Sequence, residues 1–404
     1  MRSSGLVVTV ATLTLAAGGA HAGICSQPTI ARTATLVLEA QRTLNAIPVS
    51  ADKQTNVSVA ARKAITTMKA RLNDYTVATL RCAPEAVIAS DSLKSVTPDL
   101  RETLATFAGV KIPEMRIIRN TSPVTHSYGD GPVFDVRRLR SDAIGIVARF
   151  GIECGEDAML MIFEYRRGTW AETLRTQSGT YKSVSGGWWS FDYGISPRDK
   201  DGHWFVVTKN VAPWCSSTWS EIRYEVLRPG TGANHPRTLF SKTDDIWWGP
   251  DRFGDLKVSA NGFDLRWPAE SMDSDVLNRE WIARYVVEDN RVIRDAPIAE
   301  SPRDFVDEWL RLDWKDAKHW TAVVDYGLKP LHDRLRKQHY FTYDAVRRCS
   351  DGDHTQIEVE PAEGDMRHVF FQVFGNKLLQ MGDVGFTPDP HCKGPNLFDM
   401  NKAQ

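Results

Sequence analysis

The chain lacks a dominant charge: 50 Lys and Arg face 51 Asp and Glu, for a net charge of −1. A nucleic-acid binder needs a basic field that displaces counterions from phosphates, so this balance argues against one. Two short basic runs, Arg137-Arg138-Arg140 and Arg334-Arg336-Lys337, read as solvated faces. Past the N-terminus no apolar run approaches the roughly 18 residues that a membrane-spanning helix requires, so none is expected. H-E-x-x-H, G-x-S-x-G, the Walker loop and a strand-borne G-x-G-x-x-G are all missing. So is any C-x-x-C pair, which leaves no spacing suited to a zinc site, and neither a metal nor a cofactor is expected.

The N-terminus carries a targeting pattern. Arg2 precedes the apolar stretch "LVVTVATLTLAA", and Ala20-His21-Ala22 gives a small-x-small cleavage signal. Residues 1–22 are therefore expected to be a signal peptide, and the remainder an exported protein, periplasmic or secreted. Cys25, Cys82, Cys154, Cys215, Cys349 and Cys392 all follow that signal, and an even count in an oxidising compartment implies disulfides. Sequence allows every connectivity. Sequential pairing, 25 with 82, 154 with 215 and 349 with 392, keeps each bridge local. Each bridge closes a loop of roughly 40 to 60 residues, worth about 4 kcal/mol by chain entropy.

The periodicity divides the chain into a multi-domain α+β protein: a helical N-terminal bundle over 23–115, a Trp-rich antiparallel β domain over 116–300, and a small α+β region over 301–404. In the first part Ile30, Ala34, Val37 and Leu44 recur at helical spacing, as do Ala61, Ile65, Met68, Leu72 and Tyr75. Thr97-Pro98 opens a third helix that Gly109 ends. From about residue 130 the period changes to two. "AIGIVARFGI", "DAMLMIFEY", "HWFVVTKNV", "EIRYEVL", "DLKVS", "FDLRW", "WIARYVV" and "RVIRD" read as strands between turn signals. "DAMLMIFEY" is apolar on both faces, as a strand covered on both sides must be. The unit "VARFGIEC" then "MLMIFEY" weakly parallels "FVVTKNVAPWC" then "EIRYEVL", which suits an irregular propeller-like or sandwich architecture. Ser301-Pro302 and Asp313 signal helix starts, "DYGLKPLHDRLRKQ" a further helix, and four strands follow from Tyr340.

Candidate chemistry is thin. Asp199-Lys200-Asp201-Gly202 resembles half of a calcium loop but fits a plain hairpin turn better, as does the Ser350–His354 segment. His332 and His339 read as surface or packing residues. The strongest compositional feature is tryptophan: of 13, ten lie between Trp170 and Trp281, with adjacent pairs at Trp188-Trp189 and Trp247-Trp248. Neighbours on a strand point to opposite faces, so a pair cannot fill one core. Either both faces are covered in a layered fold, or one indole meets a ligand. With Asp244, Asp245 and Asp251 beside them, the paired Trp compose a candidate glycan-binding surface, since indole faces suit sugar C–H groups and carboxylates accept from hydroxyls. Glycoside hydrolysis needs two facing carboxyls, and Glu153, Glu164 and Glu270 are eligible besides these Asp. The function expected is non-catalytic binding of a glycan or other envelope component. A hydrolase acting on glycans or peptidoglycan, and a protein partner held by the helical bundle, are the alternatives. In "DLKVSANGFDLRW" an Asn261-Gly262 turn would pair Val258 with Leu265 and Leu256 with Trp267.

Overall fold

The computed structural model describes residues 27–48, 56–82, 128–129, 132–214, 217–247, 254–322, 327–338, 341–361, 368–375 and 378–397. Cys25, Cys215, Trp248, Asp251 and His339, the expected signal peptide at 1–22 and the expected third helix at 97–109 lie outside them, as does the side chain of Cys82. The described chain is mixed α+β with a β-rich body: five α-helices and four antiparallel sheets of four strands each. No described helix is long and apolar enough to cross a membrane.

Helix α1 spans Gln27–Asn45 and α2 Val59–Cys82. Their apolar stripes are buried: Ile30, Ala34, Val37 and Leu44 on α1; Ala61, Ile65, Met68, Leu72 and Tyr75 on α2. These side chains share one core with Phe134, Ile146, Met159, Met161 and Phe163 of the first sheet, so the helices pack on β-structure as well as on each other. A buried ion pair fixes α2 there. Lys69 Nζ lies 2.6 Å from Asp157 Oδ2, with both side chains under 5% exposed. Asp157 also accepts from Ser178 Oγ, Tyr181 Oη and the Trp188 N–H.

The first sheet joins β1 (Val133–Arg140), β2 (Ala143–Ile152), β3 (Gly155–Arg166) and β4 (Thr169–Gln177) in chain order. The second joins β5 (Trp189–Ile195), β6 (Val206–Val211), β7 (Trp219–Arg228) and β8 (Arg237–Trp247) the same way. β9 (Asp255–Val258), β10 (Gly262–Glu270), β11 (Asn278–Glu288) and β12 (Arg291–Arg294) form the third. The two similar sequence units are thus the inner strands, β2–β3 and β6–β7, of successive sheets. Cys154, in the β2–β3 turn with φ of 65°, is disulfide-bonded.

The sheets stack through apolar faces. Val147, Leu160 and Ile162 of the first meet Phe191, Tyr193 and Val206 of the second, together with Trp188 just ahead of β5. Val207, Ile222, Tyr224 and Ile246 of the second meet Phe263, Leu265, Trp267 and Tyr285 of the third, with Trp189 packed beside them. Adjacent Trp188 and Trp189 therefore serve two different cores on opposite sides of one sheet. β3 is apolar on both faces because the helices cover one and the second sheet the other.

Two expectations change in detail. The β9–β10 register sets Val258 against Phe263 and Leu256 against Leu265. The Ser259 N–H donates to the Gly262 carbonyl at 2.9 Å, so Ala260 and Asn261 are the central turn residues. The shift is two residues in pairing, which preserves the faces: Leu256, Val258, Phe263, Leu265 and Trp267 stay on the core side. Gly262 is required elsewhere, because a Cβ there would stand 2.2 Å from the Tyr285 carbonyl oxygen of β11. The basic run 137–140 is not simply a solvated face either. It lies on edge strand β1, where Arg140 Nη2 reaches the fully buried Glu164 at 2.5 Å.

The fourth sheet, β13 (Phe341–Arg348), β14 (His354–Pro361), β15 (Val369–Phe374) and β16 (Gln380–Gly385), shares a core with α3 (Pro302–Arg311), α4 (Trp314–Ala317) and α5 (Leu328–Leu335). Ser301 caps α3 by accepting the Asp304 N–H. Asp313 occupies the α4 cap position but makes no side-chain cap bond; its carboxylate pairs with Arg336 at 2.7 Å. Cys349 and Cys392 form a disulfide.

Candidate functional site

A cleft of about 310 Å³ opens where the second and third sheets meet α3. Strand β8 supplies Thr243, Asp244 and Asp245, β7 supplies Glu221, the end of β10 supplies Ala269 and Glu270, β11 supplies Trp281 and α3 supplies Arg311. β8 is an edge strand and its alternation sets the geometry. Ile246 is fully buried in the inter-sheet core, and its neighbours Asp245 and Trp247 face the other way. Asp244 accepts from Tyr224 Oη at 2.7 Å and pairs with Lys242 at 3.0 Å. Burial, then the neighbouring Tyr285 and Asp244, push the Tyr224 phenol well above its ordinary value, so it stays a donor. The Trp267 indole donates to the Asp245 carbonyl at 3.0 Å and ties the third sheet to β8. Glu221 and Asp245 are directly opposed across β7 and β8.

The far wall is Trp281, which is 8% exposed. The guanidinium carbons of Arg279 and Arg311 lie over its ring at 4.3 and 5.3 Å from the centroid. Its Nε1 is buried with no hydrogen-bond partner among the described residues. A buried donor left unmade costs about 1–3 kcal/mol.

A buried ionic brace holds this wall. Asp307 on α3 is 2% exposed and takes Arg279 Nε and Arg311 Nε, each at 3.1 Å, with the Met272 N–H at 2.9 Å. Glu308 takes Arg279 and Arg294 at 3.2 and 3.3 Å. Burial by itself raises the Asp307 pKa, but Arg279, Arg311 and the Met272 N–H outweigh it and hold the carboxyl below its ordinary value. Burial likewise works to lower the Arg279 pKa, and Asp307 and Glu308 reverse it. Arg311 also donates to the Glu270 carbonyl at 2.9 Å.

A second cavity of about 520 Å³ adjoins the first through the shared Glu270 and Arg311. Its remaining lining is Met272, Leu310, Asp333, Arg336, Lys337 and Gln338. The Gln338 Oε1 is buried there without a partner among the described residues. The second basic run, Arg334-Arg336-Lys337, thus places Arg336 and Lys337 on a cavity wall.

The structure brings Asp244, Asp245 and Glu270 together in this groove. Glu221, Trp281 and Arg311 were not singled out by sequence; their convergence from three elements has no local signal. Trp188 is a core residue, stacked on Phe191 at 5.0 Å between centroids, and burial removes it from a ligand surface. Trp189 is half-buried against the second inter-sheet core, and half-buried Trp247 lines neither cavity. Glu153 is buried against Tyr128 Oη at 3.2 Å. Glu164 is clamped by Arg140, Arg166 and Arg198. His332 is fully buried, with Nε2 3.0 Å from the Trp309 carbonyl, and burial lowers its pKa. Asp199 accepts the N–H groups of Asp201 and His203 at 2.9 and 2.8 Å, closing the β5–β6 turn around Gly202. Among the described residues the large apolar side chain exposed on the helices is Val59.

No protein-family model matches the chain, and no curated protein matches it. Among solved structures it is similar to the GH93 α-L-arabinofuranosidase of Fusarium graminearum, determined with arabinobiose, at 11% identity and a TM-score of 0.24. The alignment covers 61% of this chain and 64% of that enzyme, less than two thirds of its length. A superposition of that quality carries no argument about fold or activity.

Proposed function

We propose that this is an exported binding protein that holds a glycan or other polyhydroxylated envelope component in the groove between β8, β10, β11 and α3. The observation that carries the reading is the convergence of Glu221, Asp244, Asp245 and Glu270 with Arg311 on one cleft walled by Trp281. Carboxylates accept from sugar hydroxyls, and the Arg311 guanidinium can donate to a ring or hydroxyl oxygen. With Arg279 and Arg311 over its ring, Trp281 serves as a wall of the cleft more than as a stacking face. The Cys349–Cys392 bridge supports an oxidising compartment, and the disulfide-bonded Cys154 agrees with it. The succession of chain-ordered four-stranded sheets packed face to face supports an irregular propeller-like body.

Titration of the full chain with neutral and amino-sugar oligosaccharides, read by Trp fluorescence and calorimetry, tests the reading. Binding should weaken several-fold in Glu270→Gln, which keeps the shape of the side chain and removes its charge. Absence of binding to every oligosaccharide, or equal binding by the variant, counts against it.

A hydrolase is the second reading, favoured by one observation. Glu221 and Asp245 oppose each other across the β7–β8 ladder. Directly paired residues leave the same face of a sheet with Cβ atoms about 5 Å apart, so both carboxyls can reach one bound sugar, and a glycosidase needs two carboxyls at its scissile bond. Sugar release abolished by Glu221→Gln and by Asp245→Asn, with binding intact, would establish catalysis in place of simple binding.

A further inference from the structure

The turn between β13 and β14 holds chemistry that the groove does not use. Cys349 directly follows β13, His354 opens β14, and Cys392 comes from the C-terminal segment. Both sulfurs are oxidised to a disulfide, and both cysteines are under 5% exposed. His354 Nε2 stands 3.6 Å from Cys392 Sγ, and its Nδ1 is 2.5 Å from Asp351 Oδ2. A carboxylate on Nδ1 fixes the proton there and turns the Nε2 lone pair toward the sulfurs. The same arrangement orients histidines that bind metals. Asp389 Oδ2 lies 3.7 Å from Nε2. Donor atoms of Cys349, His354 and Cys392 all fall within 4.8 Å of one another.

We propose that Cys349, Cys392, His354 and Asp389 form a zinc site whenever the Cys349–Cys392 bridge is reduced, so that disulfide and ion are alternative closures of the same turn. Tetrahedral zinc holds thiolate and imidazole at about 2.3 and 2.0–2.1 Å, which places S and N about 3.6 Å apart. His354 and Cys392 already have that spacing. A dithiol supplies the two electrons and two protons that break the S–S bond, becoming a disulfide itself and leaving two thiols. Zn²⁺ then takes both sulfurs as thiolates and releases the two thiol protons to solvent. The Nε2 lone pair and the Asp389 carboxylate complete four ligands, and Asp351 remains the orienting partner. The backbone is prepared for either closure: the Cys349 N–H donates to the His354 carbonyl at 3.1 Å, and the Asp389 N–H to Gln356 Oε1 at 2.7 Å.

The test uses the full chain, reduced with dithiothreitol and desalted without oxygen. Bound Zn²⁺ is counted in the wild type and in a Cys349→Ser/Cys392→Ser double variant, which retains the other four cysteines. The wild type should bind one more ion. Its Co²⁺ form should show tetrahedral d–d bands and a thiolate charge-transfer band that the double variant lacks. His354→Ala should lower affinity at least tenfold, and Asp351→Asn by roughly tenfold or more. A readout without substitution guards against misfolding of the variants: Zn²⁺ should slow iodoacetamide alkylation of Cys349 and Cys392 in the reduced wild type, read by peptide mass spectrometry. Equal zinc counts in wild type and double variant, or alkylation unaffected by Zn²⁺, would overturn the proposal.

Discussion

Replacing Asp307 by Asn removes one negative charge from the buried brace and changes almost no volume. Asp307 faces Arg279 and Arg311, and Arg279 is itself only 6% exposed. Breaking a buried pair while leaving its partner charged costs about 3–5 kcal/mol. Glu308 still opposes Arg279, which argues for the lower part of that range, about 3 kcal/mol. The amide oxygen can still accept the Met272 N–H, but the amide NH2 then faces the Arg311 Nε donor at the former Oδ1 position, so the loss is the charge together with that hydrogen bond. Urea unfolding followed by Trp fluorescence reads this directly. The pH dependence is a second signature. The folded pKa of Asp307 lies below its unfolded value, so its contribution is complete above the unfolded pKa of about 3.9 and fades as pH falls toward the folded one. The gap between wild type and variant should therefore be constant from pH 7 to about 5 and narrow below about 4. The variant should also bind the groove ligand more weakly, because Arg311 loses the partner that aims it at Glu270. A cost under about 1 kcal/mol, the level of a solvent-screened pair, would refute the account of the brace, as would a gap that does not change with acid.

Other perturbations probe other parts of the molecule. Gly262→Ala should destabilise by about 1–3 kcal/mol through collision with the Tyr285 carbonyl, whereas Gly385→Ala, with open space around it, should stay within about 0.5 kcal/mol in the same urea assay. Lys69→Met should cost about 3–5 kcal/mol by stranding Asp157; hydrogen exchange should report the loss first in α2. Because burial lowers the His332 pKa, protonation opposes folding: wild-type stability should fall as pH drops below about 6.5, and His332→Phe should flatten that slope in thermal melts. A slope unchanged in His332→Phe would assign it to other groups.

In the first two sheets the inner strands were legible in the sequence and the edge strands were not, whereas in the third the short edge strands β9 and β12 were read from the turn signals beside them. "AIGIVARFGI" and "DAMLMIFEY" announce β2 and β3 because both faces of each are apolar. β1, β4, β5 and β8 escaped notice, since an edge strand leaves many side chains to solvent and carries charges such as Arg137, Glu172 and Asp245. The paired tryptophans told that both faces of a strand are covered. They did not tell that Trp188 and Trp189 serve successive inter-sheet cores. The candidate groove was partly visible: Asp244 and Asp245 stood out as acids beside paired tryptophans and Glu270 was one of several eligible carboxyls, while Glu221, Trp281 and Arg311 are ordinary residues until the sheets pack.

By itself, then, the sequence determined what is local: the periods of α1, α2 and the inner strands, the Ser301 cap, and the side of β9 and β10 that faces the core. Tertiary structure decided which sheets lie against each other, the two-residue shift at Ala260-Asn261, and the company each buried charge keeps. The physical reason is the range of the forces. Side-chain period and capping act within a few residues, whereas a close backbone approach such as Gly262 to Tyr285, or a carboxylate such as Asp307 shared between Arg279 and Arg311, exists only after distant segments have met.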